Sequence, residues 1–384
     1  MPAHSDEDTP ADSPVTLKRR IAALEERNAE LLSKTTRKSA DRYPYHGRGI
    51  RRLVTLADSI EDLIGEHDRR ANLSDTEDDA VVHTDEENRV YRCYQQLLRW
   101  VPAIRKIVNS ETDPFELALV YGRLTKAADG ARGEDASHLK QAIIPWLPTN
   151  EGEPKITRDK SGRGFYSNIT GKLLCPVDYD WEDADTKANI RCYHPDYLVT
   201  ALSWPAFLYQ DNKHNPNKPL DGLFRGSLLL KAFKYIFMSP SSVSETLSDD
   251  EEQPRKKPKG SGDRRTRSSN AALLGMKSVQ PRALAYVAVQ VRFALSSCGS
   301  WRIMDEDFNY ADFYNNIVNY FELPPNPEAK AAIEDLVFWW NQKVFGRSNV
   351  SIYRPQKANE LSVATSYARR TRARSTQLPS SSRA

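Results

Sequence analysis

The sequence predicts a mainly α-helical protein. The expected architecture is a single irregular helical domain with a minor β-hairpin, a short N-terminal coiled-coil helix and disordered tails. Three observations carry that expectation. Apolar residues recur at three- and four-residue spacing through most of 86–346, the signature of amphipathic helices. One stretch, 281–297, is apolar nearly all round, which suits a helix inside a core. Charge is gathered into blocks that lie mostly outside these stretches. The chain has 384 residues, 39% hydrophobic and 28% charged, so a real core is diluted by polar segments.

Taken in order, residues 1–14 are acidic and Pro-rich and are expected to be disordered. Residues 15–34 read as a short coiled-coil helix. Leu17, Leu24 and Leu31 fall at d, with Ile21 and Asn28 at a. An Asn at a fixes register and favours a parallel pair, so a homodimer is one expected partner. The run is under three heptads, and helices this short are marginal alone. Residues 35–85 read as a basic then acidic linker holding one helix, 50–65, on Ile50, Leu53, Val54, Ile60, Leu63 and Ile64.

The folded domain is expected over 86–346. Val90, Tyr91, Tyr94, Leu97, Leu98 and Val101 form a helical stripe that Pro102 ends. Asp113-Pro114 opens a helix to about Ala128, since Pro suits a first turn. A separate helix starts at Asp135 or Ser137 and stops before Pro145. Asn168-Ile169-Thr170-Gly171, between Phe165-Tyr166 and Leu173-Leu174, reads as the hairpin. The rest of 149–220 reads as ordered loop pinned by aromatics, with a short helix near Asp185–Tyr193. Helices follow at 223–237, 281–297, 310–321 and 328–345. Residues 239–271 form a low-complexity insert, and 347–384 a basic tail, both expected to be disordered.

Charge segregation shapes the functional expectation. Residues 17–53 carry eleven Lys/Arg against four Asp/Glu, and 58–87 carry twelve Asp/Glu against two Arg. Within the insert, Asp249-Asp250-Glu251-Glu252 precedes Arg255, Lys256, Lys257, Lys259, Arg264, Arg265 and Arg267. Two basic clusters in a Pro/Gly-rich setting suit a nuclear import signal, read by an import receptor. Phosphorylation of Ser248 would set negative charge against those bases. Arg37, Lys38, Arg42, Arg48, Arg51 and Arg52 are candidate phosphate contacts for non-specific nucleic-acid binding, with the arginines of 369–374 as a further arm.

Other chemistries find little support. The N-terminus lacks the apolar stretch of a secretory signal, and no run reaches the length of a membrane span. The four cysteines form no CxxC pair and read as free thiols. Cys175, Cys192, His194 and His214 match no familiar zinc spacing, and the acids of 178–185 alternate with aromatics as in an anchored loop. No metal and no cofactor is expected. Gly162-Arg163-Gly164 lacks the third glycine of a dinucleotide loop, and no phosphate loop or nucleophile elbow occurs.

Six strings carry a family resemblance: SGRGF (161–165), TGKLLCPVDYDW (170–181), SWPAFLY (203–209), GLFRGSLLLKAFKYIF (222–237), QPRALAYVAVQVRFALSS (280–297) and DFYNNIVNYFE (312–322). Together they resemble an uncharacterised domain of mushroom-forming (basidiomycete) fungi, over roughly 90–346. The resemblance implies a fungal source and a discrete domain, and brings no catalytic residue with it. The expected function is therefore a non-enzymatic nuclear interaction protein, associated with nucleic acid or chromatin through basic arms. The alternatives are a scaffold dimerising through the N-terminal helix, and an enzyme with its site in the loops of 161–215.

Overall fold

The computed structural model describes residues 43–74, 82–105, 113–149, 152, 154–243 and 268–346. Within them the fold is helical with one small antiparallel hairpin. The expected coiled-coil residues Leu17, Ile21, Leu24, Asn28 and Leu31 lie outside the described residues.

The chain opens with two short helices, α1 (Tyr43–Gly47) and α2 (Ile50–Leu53), then α3 (Ile60–Ser74) and α4 (Asp85–Trp100). Ser59 starts α3 by accepting the Asp62 amide on its hydroxyl. Thr84 and Glu87 form a capping box at the start of α4, satisfying two amides that have no helical partner. Ile50, Val54, Leu63, Leu97, Val101 and Leu124 bury one another in a smaller core. The folded part therefore begins near Tyr43. The expectation that it begins at 86, after a linker, is corrected, because Leu53 and Leu56 also reach the main core.

Helix α5 (Pro114–Ala142) joins the two cores, with Val120 and Leu124 in one and Ala136 and Leu139 in the other. Two helices were expected here. Gly130 and Gly133 cost the helix about 1 kcal/mol each relative to alanine. Packing on both sides of the pair outweighs that cost, and both glycines face open space.

The expected hairpin at 165–174 is corrected to helix α6 (Asn168–Leu174). The Ser167 hydroxyl accepts the amides of Ile169 and Thr170, which caps a helix and stops a strand. Gly171 is required there, because a Cβ would sit 2.2 Å from the Trp181 ring. Helix α7 (Ala184–Arg191) follows, capped by Asp183. Helix α8 (Ser227–Phe233) continues as a π-turn over Lys234–Met238, and α9 (Asn270–Leu273) returns from the insert. The hairpin itself pairs β1 (Met304–Asp305) with β2 (Phe308–Asn309), Met304 facing Asn309 and Asp305 facing Phe308. Glu306 takes the left-handed turn position at φ 58°.

At the centre lies α10 (Pro281–Leu295), in which every residue from Arg282 to Leu295 is buried. It packs against α2, α5, α6, α8 and α11 (Tyr310–Glu322). Helix α12 (Pro327–Phe345) closes the far side. Its Trp340 indole donates to the Phe224 carbonyl, and its Asn341 accepts the Val279 amide just before α10.

Burying a helix on all sides makes an unpartnered polar group on it costly, and apart from the Gln290 side chain, which has no hydrogen-bond partner among the described residues, its main polar side chains are met. Arg282 makes a two-pronged pair with Glu322 at 2.7 and 2.8 Å, and donates to the Val54 carbonyl. Tyr286 donates to Asp135 at 2.7 Å, and the same carboxylate takes both prongs of Arg52 at 2.8 Å. Past its end, Lys160 donates to the carbonyls of Phe293 and Cys298, and Arg163 to that of Ala294. Two cations thus cap the negative end of the helix dipole. Burial pulls the Lys160 ammonium down to about 7. The family-like SGRGF string is, in this light, a helix cap.

The Arg52–Asp135–Tyr286 group gives a direct prediction. Asp135→Ala leaves a buried guanidinium without its carboxylate, a loss of about 3–5 kcal/mol. The triple variant Arg52→Met/Asp135→Leu/Tyr286→Phe, which also removes the hydroxyl that Asp135 accepts, should recover most of it. Urea unfolding of the three proteins measures both; a loss below about 1 kcal/mol for Asp135→Ala would contradict the clamp.

Candidate functional site

The basic residues singled out in the sequence divide into two groups. Arg37, Lys38 and Arg42, the import-signal residues Arg255, Lys256, Lys257, Lys259, Arg264, Arg265 and Arg267, and the arginines of 369–374 lie outside the described residues. Arg48, Arg51 and Arg52 are described, and for Arg51 and Arg52, which are buried, the expected role as phosphate contacts is corrected. Arg52 is 2% exposed and held by Asp135. Arg51 is 5% exposed, paired with Asp129 at 2.8 Å and donating to the Asp58 carbonyl. Arg48, nearer the surface, makes a two-pronged pair with Glu134. Each faces an acid on α5; the charge of Arg51 and Arg52 is spent inside the fold, whereas the Arg48–Glu134 pair is exposed.

The loops of 161–199 form one wall of a two-lobed cleft against the end of α10 and the β1–β2 hairpin. The lobes are small, about 40 and 30 Å³. Phe165, Ile190, Tyr193, Arg292, Asp305 and Glu306 line both. Helix α6 brings Leu174 to the first lobe, and α7 brings Ile190 and Arg191. Val199, Leu198 and Phe308 line the second.

Arg292 is the buried charge of this cleft, at 4% exposure. Its guanidinium lies 3.2 Å from the centre of the Phe308 ring and donates to the Tyr310 hydroxyl at 3.1 Å. Tyr310 passes its own proton toward Asp305 at 3.4 Å, and burial pushes its phenol up to about 12. Asp305 is also held by Arg302 at 3.1 Å. Across the mouth, the Tyr193 hydroxyl donates to the Glu306 carboxylate at 2.6 Å. That bond raises the Tyr193 phenol further above its ordinary value. Arg191 holds the wall by donating to the Phe165 carbonyl and to Asn168.

The sequence offered the loops of 161–215 as the site of the alternative enzyme reading, and singled out neither Arg292 nor the hairpin opposite. The signal was present: Arg282 and Arg292 are the two charges in an otherwise apolar helix, and buried charges are kept only with partners or a role.

The other candidates resolve into structural parts. Asp183 caps α7, and Asp180 accepts the Glu182 amide. Cys175 is buried, its thiol pushed up to about 12 by that burial, while Cys192 is exposed. His194 packs on Tyr197 and His214 on Tyr209. Among the described residues no group of three or more His, Cys, Asp or Glu is placed to hold a metal ion, and no helix is long and apolar enough to cross a membrane.

No curated protein and no solved structure matches the chain. A family of unknown function, DUF6698, matches residues 126–345, which take in most of α5, both walls of the cleft, the central helix and α12. With more than half of its length matched, the chain belongs to this family of unknown function.

Proposed function

We propose that this protein, of fungal origin, is a non-enzymatic nuclear interaction protein. Its import signal spans Arg255 to Arg267, and its contacts with nucleic-acid phosphates come mainly from basic arms outside the folded domain. The observation that carries this reading is the stem of the insert. The Asn270 side chain donates to the Ile236 carbonyl at 2.6 Å, and Ile236 and Ala271 are buried in the same core. The described chain before and after the basic insert is therefore tied together, an arrangement suited to presenting a signal to an import receptor. Because Arg51 and Arg52 are buried against acids, phosphate contact falls to Arg37, Lys38, Arg42, the exposed Arg48 and the arginines of 369–374.

The enzyme reading draws its support from the cleft beside 161–199. The dimer reading rests on Leu17, Ile21, Leu24, Asn28 and Leu31; a monomeric mass at high protein concentration would remove it.

Combined substitution of Lys256, Lys257, Arg264 and Arg265 by alanine should abolish nuclear accumulation of a fluorescent fusion while leaving its abundance unchanged. Undiminished nuclear accumulation would sink the import claim. For the phosphate contacts, duplex DNA should bind the full chain with an affinity that falls steeply as salt rises. Affinity independent of salt, or no binding at low salt, would contradict them.

A further inference from the structure

We infer that the open groove between α1, the end of α4 and α9 is a binding site for single-stranded nucleic acid, an inference that rests on the proposed nucleic-acid contacts and places one of them in the folded domain.

The groove has room for a ligand. It encloses about 500 Å³, against about 40 and 30 Å³ for the lobes beside Arg292. That volume lies within the roughly 300–1,000 Å³ range of small-ligand sites, enough for a base with its sugar. Tyr45 and His46 of α1, Arg99 and Trp100 of α4, and Lys277 after α9 line it. No Asp or Glu is among its lining residues, so nothing in its wall repels an anion.

Arg99 supplies the first anchor. It is exposed, and among the described residues it makes no hydrogen bond and no ion pair. Its guanidinium rests over the Trp100 ring, 5.3 Å from the ring centre. Earlier on the same helix, Arg89 and Arg92 face the acids Asp58 and Glu322. Arg99 is thus a cation steadied on an aromatic face with its donors uncommitted, and a planar fork of donors matches a phosphate. Lys277, also exposed, adds a second positive charge to the same groove.

Tyr45 supplies the complementary contact. Its hydroxyl donates to the Leu273 carbonyl, which ties α1 to α9 and fixes the ring, yet the residue stays 45% exposed. An exposed ring held in place is a platform on which any base can stack. A duplex keeps its bases stacked on one another, so this contact selects a single strand. The groove is also continuous with the N-terminal basic arm. Arg42 immediately precedes α1, and Lys38 stands seven residues before Tyr45, a reach of at most about 25 Å. A strand seated in the groove can therefore run on to the phosphate contacts proposed for the arm.

The test uses the full chain and a labelled oligothymidine of about twelve nucleotides, followed by anisotropy over a salt series. Arg99→Ala/Lys277→Ala should weaken binding at least about tenfold at low salt and cut the salt slope by about 1.4, two phosphates' worth. The same exchange at Lys330 and Lys343, exposed on α12, should leave both unchanged. An oligonucleotide carrying 5-iododeoxyuridine should crosslink to Tyr45 or Trp100, read by mass spectrometry. Free thymidine monophosphate should bind at least about tenfold more weakly than the strand. Crosslinks confined to 37–42 and 369–374, with the double variant binding normally, would overturn the groove while leaving the proposed arm contacts standing. No binding at low salt would overturn both. Equal binding of the mononucleotide, or tighter binding of an acidic peptide spanning 245–252, would assign the groove to another ligand and overturn the inference. Where the double variant does not fold, the crosslinks of the unaltered protein decide.

Discussion

The fold depends on the burial of α10 on every side. A helix with one exposed face can leave its polar groups to water, but a helix inside a core cannot. Arg282, Tyr286 and Arg292, together with the carbonyls at its end, therefore dictate what must surround them. Glu322 of α11, Asp135 of α5 and the Lys160–Arg163 turn are the answers to that demand. Tertiary order in this protein is largely a set of partners arranged around one buried rod.

The same constraint explains the N-terminal segment. Residues 48–58 look like a basic arm, yet they close the structure. Arg52 completes the Asp135–Tyr286 group, Arg51 holds Asp129, and the Val54 carbonyl accepts from Arg282. Asp58 takes both prongs of Arg89 from α4, tying the smaller core to this strip. Removing the segment would leave Asp135 and Arg282 short of partners at once. A cluster of arginines in sequence is thus not evidence of a binding surface unless their acids are accounted for, and here the acids sit on a helix nearly eighty residues away.

The legible parts of the sequence were those whose periodicity is decided locally. The central helix, α7, α11 and α12 follow from apolar spacing and from Pro or Asx residues at their starts. What was illegible turned on single contacts. Ser167 makes α6 a helix through two hydrogen bonds, where Gly171 suggested a turn. A break was expected between Ala128 and Asp135, and packing on both sides keeps α5 continuous there. The true hairpin is two residues per strand, too short to show an alternation. In the cleft, the loops of 161–199 were legible as unusual, whereas the opposing Arg292 was hidden by its apolar neighbours.

Native-state hydrogen exchange tests the central claim most directly. If α10 is the rod around which the partners are arranged, the amides of Ala285 to Val291 should exchange only through global unfolding, with the highest protection in the chain. Lower protection there than in α3, which lies at the edge of the smaller core, would contradict the account.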